Sequence, residues 1–76
     1  MKHVYLFSTS HCQLCEVAHA LIISILKLNQ FTVIEIADEE TLLARYDLRI
    51  PVLQRLDNFA ELAWPFDEAA IRSFLI

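Results

Sequence analysis

The chain has 76 residues, 57% of them apolar, which is enough for one small domain with a hydrophobic core. Ten acidic and six basic residues give a formal net charge of −4, and the bases are scattered along the chain, which argues against a nucleic-acid partner. No apolar run is long enough to span a bilayer or to form a signal peptide, so we expect a cytoplasmic protein that does not bind membranes.

The first half of the chain predicts two strands joined by a helix. Residues 2–7 are almost continuously apolar, which is typical of a strand covered on both faces. Residues 12–28 carry apolar side chains at spacings of three and four, which predicts an amphipathic helix. We expect Ser10 to be its N-cap and Asn29 its end cap. Residues 31–37 predict the second strand.

The second half predicts a short helix, a hairpin and a final helix. Acidic residues open the helix predicted over residues 38–46, where they favour the positive end of its dipole. Residues 51–55 and 59–63 predict the two strands of a hairpin. Asp67 is expected to cap a helix over residues 68–75.

These elements follow the order β-α-β-α-β-β-α over a single α/β domain, residues 1–76. The first β-α-β unit implies a parallel strand pair with a crossover helix, and the hairpin adds an antiparallel pair, with helices on both faces of the sheet. The sequence contains no glycine. We therefore expect Asn29 and the hairpin-turn residues Asp57 and Asn58 to take any left-handed conformations, which Asn and Asp tolerate.

The chemistry of the chain is expected at Cys12 and Cys15, where the first strand gives way to the first helix. Helical residues three apart have Cα atoms about 5 Å apart, a separation that a disulfide can bridge. Unpaired N–H groups and the helix dipole would lower the pKa of Cys12, and a charged His11 beside it would favour the thiolate further. A thiolate attacks disulfides. We predict a redox pair with Cys12 as nucleophile and Cys15 as resolving thiol.

Two other interpretations of these residues stay open. Cys12, Cys15 and His19 share one helical face, and His11 could fold back to complete a zinc site, although such a site needs four ligands in a tetrahedral array. Alternatively, the cysteines are inert helix residues, and His11 is only an exposed loop residue.

The chain resembles the glutaredoxins and, more closely, the short glutaredoxin-like proteins of bacteria. The resemblance covers nearly the whole sequence and rests on residues 10–16 (SHCQLCE), 46–52 (YDLRIPV) and 64–67 (WPFD). It implies a thioredoxin fold of the minimal glutaredoxin type, with a four-stranded mixed sheet in the strand order 2-1-3-4. It also implies a monomeric thiol–disulfide oxidoreductase that transports electrons to protein disulfides, small-molecule disulfides or glutathione mixed disulfides without a tightly bound cofactor.

The resemblance also suggests a substrate site. It implies that the peptide bond before Pro51 is cis and that Pro51 packs beside the cysteine pair. Ile50 would then offer its backbone N–H and C=O to an extended substrate, and Asp67 would contribute to glutathione binding. Pro51 could instead simply begin an edge strand.

Three departures from the glutaredoxin pattern concern glutathione. Residues 13–14 include no proline, Thr9 stands where a lysine is common, and residues 64–66 (WPF) replace a Gly-Gly pair. The two aromatic residues of this segment would line a groove or pack in the core. The resemblance therefore supports the fold and the dithiol chemistry of this chain more strongly than it supports a glutathione site. Glutathione is a candidate reductant. Relatives that hold iron–sulfur clusters make cluster binding, in a dimer sharing a cluster through Cys12, the alternative function.

Overall fold

A four-stranded mixed sheet forms the centre of the computed structural model, which describes residues 3–76. β1 (Val4–Ser8) pairs in parallel with β2 (Phe31–Glu35) and antiparallel with β3 (Val52–Arg55). β3 also pairs antiparallel with β4 (Glu61–Ala63). The resulting order β2-β1-β3-β4 confirms the expected sheet. Lys2, included in the predicted first strand, lies outside the described residues.

The first helix is shorter than its apolar pattern predicts. α1 spans Gln13–Ile23 and does not continue to residue 28. Ser24 is the C-cap, and its hydroxyl donates to the carbonyl of Leu21 at 2.6 Å, a local bond that competes with continued helix. The chain then makes a separate 3₁₀ turn, Leu28–Gln30, so the expectation that Asn29 caps α1 was wrong.

The second strand also ends early, because its last side chain turns the backbone. Glu35 Oε2 accepts the N–H of Ala37 at 3.1 Å, and Ile36–Asp38 form a 3₁₀ turn where residues 36 and 37 were expected to be extended. α2 follows at Glu40–Tyr46, close to the predicted helix.

The hairpin and the final helix form near their predicted places, but β4 begins at Glu61 and not at residue 59. The residues with left-handed backbone also differ from those expected. The backbone φ angles are positive at His11 (57°) and Phe59 (59°), not at Asn29 or at the Asp57–Asn58 pair. Asn58 acts in the turn through its side chain, whose Oδ1 accepts the N–H of Ala60 at 3.0 Å. α3 spans Glu68–Phe74 with the expected aspartate cap.

Apolar side chains are buried on both faces of the sheet, which confirms the predicted layers. Successive residues of β3 lie on opposite faces, with Leu53 on the side of α1 and α3 and Val52 on the side of α2. The larger cluster consists of Val4, Leu6, Ala18, Ile22, Phe31, Leu53, Phe66 and Ile71. The smaller cluster consists of Phe7, Ile36, Tyr46 and Val52. In the described part of the chain, no helix is long and apolar enough to cross a membrane.

A buried arginine joins β3 to the end of α3. Arg55 is only 7% exposed, and its guanidinium makes two hydrogen bonds to Asp57, at 3.0 and 2.7 Å. Its Nη1 also donates to the carbonyl oxygens of Phe74 and Ile76 at 2.7 and 3.0 Å, which satisfies carbonyl groups that a helix end leaves unpaired. The hydrogen bond to Asp57 raises the pKa of Arg55.

Candidate dithiol site

Cys12 and Cys15 form a disulfide across the first turn of α1. Their Cα atoms lie 5.2 Å apart, as helical spacing predicted. Cys12, not Ser10, is the N-cap of α1, and its Sγ accepts the backbone N–H of Cys15 at 3.2 Å. The expected Ser10 cap was wrong because the side chain and the N–H of Ser10 are both bound to Glu35.

The two sulfur-bearing residues differ in exposure. Cys15 is only 3% exposed and belongs to the core, whereas Cys12 is half-buried at the end of the helix. An N-cap sulfur faces the unpaired N–H groups and the positive end of the helix dipole, and both favour a thiolate after reduction. Cys12 is therefore the sulfur more accessible to another molecule, and Cys15 is shielded by the core.

A cleft of about 330 Å³ opens beside the disulfide, between β2 and the start of α1. Its apolar wall is Leu6 and Val33, which are paired across β1 and β2. The other lining residues are Ser8, Thr9, Ser10, His11, Cys12, Cys15, Glu16 and His19. The structure thus brings together three of the predicted site residues, the two cysteines and His11.

The two histidines of the cleft have different surroundings. His11 is exposed and takes a left-handed conformation directly before Cys12. His19 is partly buried, with its ring edge-on to Phe31 at a centroid separation of 5.7 Å. Across residues 3–76, no three His, Cys, Asp or Glu side chains are grouped so that they could hold a metal ion.

Ile50 and Pro51 lie outside the cleft lining. The peptide bond between them is cis, as the resemblance implies, and Pro51 is buried. Because Val52 pairs with Phe7, Pro51 lies level with the end of β1, where the cysteine loop begins. The N–H of Ile50 donates to the carbonyl of Tyr46 at 3.0 Å, so the expectation that Ile50 offers both backbone groups is corrected: its N–H already closes the end of α2.

Asp67 has a clear local role at α3. Its Oδ1 accepts the N–H of Ala70 at 2.8 Å, which confirms the predicted cap. It borders a separate shallow depression with Pro65, Phe66 and Ala70. Phe66 itself is buried in the larger core cluster, so it packs in the core. A role for Asp67 in glutathione binding stays a prediction.

Glu35 is a residue of this site that sequence reasoning missed. Its Oε1 accepts both the N–H and the hydroxyl of Ser10, each at 3.0 Å. Hydrogen bonds from the Thr9 hydroxyl, the Ala37 N–H and Ser10 hold the pKa of Glu35 below its usual value, despite partial burial. The sequence carries little signal for this role, because Glu35 lies inside the strand predicted over residues 31–37. Only the parallel register seen in the structure sets it beside Ser8.

A second missed cluster supports the opposite face of the sheet. The buried Tyr46 ring stacks on Phe7 with centroids 4.2 Å apart, and its hydroxyl donates to Glu61. Arg49 also donates to Glu61 at 2.8 Å, and its guanidinium lies 5.3 Å from the Tyr46 ring centroid. Burial and the hydrogen bond to Glu61 raise the pKa of Tyr46. This cluster joins the end of α2 and the turn after it to β4.

The sheet order and a Cys-x-x-Cys disulfide at a helix start define a small α/β protein of the thioredoxin-like fold. The chain belongs to the glutaredoxin-like family, since the family model "Glutaredoxin-like domain (DUF836)" matches residues 3–76. No curated protein matches the sequence.

Solved structures from two bacteria are similar over nearly their whole length. The crystal structure of protein XcR50 from X. campestris is 32% identical, covers 95% of this chain and 93% of its own, and has a TM-score of 0.84. The solution structure of XcR50 is also 32% identical, with coverages of 96% and 91% and a TM-score of 0.82. Protein Ne2328 from Nitrosomonas europaea is 26% identical, with coverages of 96% and 89% and a TM-score of 0.78.

Proposed function

We propose that this protein is a thiol–disulfide oxidoreductase in which Cys12 is the nucleophile and Cys15 the resolving thiol. The observation that carries the proposal is the disulfide at the N-terminus of α1, with a half-buried N-cap cysteine and a buried partner one turn later. Membership of the glutaredoxin-like family supports it.

The reaction comprises two exchanges. The Cys12 thiolate attacks a substrate disulfide R–S–S–R′, which forms Cys12–S–S–R and releases R′–S⁻. Cys15 then loses its proton and attacks Sγ of Cys12, which releases R–S⁻ and forms the Cys12–Cys15 disulfide. The substrate gains two electrons and the protein loses two. Two molecules of a thiol reductant, with glutathione as the candidate, restore the dithiol by the reverse exchanges.

Because Cys15 is buried, we expect it to react with the Cys12 mixed disulfide and not with disulfides in solution. A thiol that is 3% exposed is poorly accessible to external disulfides, but it lies within bonding distance of Cys12. The mixed disulfide is therefore resolved within the molecule. The proposed substrates are protein disulfides, small-molecule disulfides and glutathione mixed disulfides. An extended substrate would donate a backbone N–H to the carbonyl of Ile50. Asp67 is the proposed contact for glutathione. We propose that the protein acts in electron transport as a monomer. We also propose that it acts in the cytoplasm, where glutathione keeps thiols reduced.

Two cysteine variants test the mechanism with a model disulfide and with glutathione as reductant. Cys12→Ser should abolish reduction, because no attacking thiolate remains. Reduced Cys15→Ser incubated with the substrate in the absence of glutathione should form a mixed disulfide, detectable by mass spectrometry, because the resolving thiol is missing. Ser24→Ala at the far end of α1 is the control and should keep wild-type activity.

The mechanism is wrong if wild-type protein and Cys12→Ser reduce the model disulfide at the same slow rate. The iron–sulfur alternative is checked separately by the visible spectrum of anaerobically purified protein. A coloured, iron-containing protein would favour that alternative.

A further inference from the structure

The loop before Cys12 is held by a carboxylate from the neighbouring strand. Glu35, the last residue of β2, lies opposite Ser8 in the parallel register. One of its oxygens accepts two hydrogen bonds from Ser10, at 3.0 Å each, and the other accepts the N–H of Ala37 at 3.1 Å. The carboxylate thus ties the loop after β1 to the turn after β2.

This loop needs such a tie because of the residue that follows Ser10. His11 has a φ of 57°, in the left-handed region that is unfavourable for residues with a Cβ atom. Conformations of this kind persist where the surroundings hold them. With Ser10 fixed on one side and the first helical bond, from the N–H of Glu16 to the carbonyl of Cys12, on the other, His11 has little freedom.

The conformation of His11 in turn determines where the sulfur of Cys12 lies. Cys12 has extended backbone angles, φ −107° and ψ 105°, which allow Sγ to accept the N–H of Cys15 at 3.2 Å. A rotation at Ser10 or His11 would move Cys12 away from the first turn of α1. The sulfur would then lose the N–H groups that favour its thiolate.

We propose that Glu35 is a positioning residue for the dithiol: by holding Ser10, it keeps Cys12 at the N-cap of α1 and so maintains the reactivity of the Cys12 thiolate. The inference rests on the proposed function only in taking Cys12 as the reacting group. Hydrogen bonds keep the pKa of Glu35 low, so the carboxylate stays ionised through neutral and mildly acidic pH. Among the residues described as lining the cleft, the titratable groups besides the cysteines are His11, Glu16 and His19.

A purely electrostatic role for Glu35 would have the opposite sign. A negative charge close to Cys12 disfavours its thiolate, so removal of that charge would make the thiol more reactive. The positioning role predicts a less reactive thiol whenever the hydrogen bonds to Ser10 are lost. The two roles are therefore separable by experiment.

The test measures alkylation of Cys12 by iodoacetamide as a function of pH, in reduced protein that carries Cys15→Ser. Glu35→Ala should slow alkylation at neutral pH several-fold and move its pH midpoint upward. Glu35→Gln keeps an amide oxygen that can accept from Ser10, and it should restore most of the rate although it carries no charge. Ser10→Ala, which removes one of the two bonds, should give a smaller loss in the same direction.

Glu61→Ala is the matched control on the other edge of the sheet. It removes a carboxylate that accepts hydrogen bonds from Tyr46 and Arg49, and it should lower thermal stability without changing Cys12 alkylation. Should Glu35→Ala fail to fold, Glu35→Gln and Ser10→Ala still decide between the two roles.

Wild-type or faster alkylation in Glu35→Ala would overturn the positioning role, as would a Glu35→Gln variant no better than Glu35→Ala. The alkylation rate does not require disulfide reductase activity. An intact effect of Glu35 in a protein that reduces no disulfide would therefore refute the proposed function alone.

Discussion

Replacement of Asp67 by alanine and by asparagine separates its role as a helix cap from its proposed role in glutathione binding. In the structure its Oδ1 accepts the N–H of Ala70 at 2.8 Å and caps α3. α3 has only seven residues, and its fully buried Ile71 belongs to the larger core cluster. Loss of an N-cap costs about 1 kcal/mol, with a range of about 0.5–2 kcal/mol. For a domain of this size, 1 kcal/mol lowers the melting temperature by about 4–8 °C.

Asp67→Asn is the matched variant. Asparagine is about as good an N-cap as aspartate, but it removes the negative charge from the positive end of the helix. We expect it to cost only about 0.3–1 kcal/mol. Urea unfolding of wild type, Asp67→Ala and Asp67→Asn gives the three free energies of unfolding. An Asp67→Ala variant as stable as wild type would refute the capping argument.

The same pair of variants tests the glutathione contact. If the carboxylate of Asp67 binds glutathione, Asp67→Asn should raise the KM for a glutathione mixed disulfide several-fold while the protein stays folded. If the KM is unchanged, the carboxylate of Asp67 does not bind glutathione, and its role is to cap α3.

Three further predictions concern the fold. Ile22→Ala should cost about 2–5 kcal/mol in urea unfolding, because Ile22 is fully buried, whereas Ile23→Ala, at a residue that is 49% exposed, should cost far less; equal costs would contradict the burial pattern. Phe59→Asn should stabilise the protein by about 1 kcal/mol, because Phe59 is 70% exposed with a φ of 59°, a conformation that asparagine tolerates better; a lower melting temperature would contradict this. Burial acts to raise the pKa of Glu61, but hydrogen bonds from Tyr46 and Arg49 outweigh it and hold that pKa below its usual value. The stabilisation is therefore present above the unfolded-state pKa of Glu61 and is lost as the pH falls through its lower folded-state pKa, so Glu61→Gln should lose less stability in acid than wild type.

Local sequence patterns predicted the structure correctly where the conformation of a residue depends mainly on its neighbours in the chain. Three features were predicted from residues close together in the sequence: the apolar strand β1, the cap of α3 at Asp67 and the disulfide between cysteines three residues apart. The resemblance to glutaredoxins supplied the sheet order, which the structure and the family match confirm.

Local sequence patterns gave the wrong element ends where a side chain forms a hydrogen bond with a backbone group. Ser24 and Glu35 each form such a bond, and each ends its element sooner than the apolar pattern indicates. Without glycine, other residues take the left-handed conformations. These are His11 and Phe59, so the expectation of Asn29, Asp57 and Asn58 was wrong, because the geometry of each turn sets the φ angle.

The sequence by itself determined that Cys12 and Cys15 could form a disulfide at the start of a helix, because helical geometry alone brings residues three apart to this distance. Only the tertiary structure decided that Cys12, rather than Ser10, is the N-cap. That outcome depends on Glu35, which is distant in sequence and reaches Ser10 only once β1 and β2 have paired in register. The burial of Cys15 was likewise decided by the packing of α1 on the sheet, since no local pattern specifies which of two nearby sulfurs the core covers.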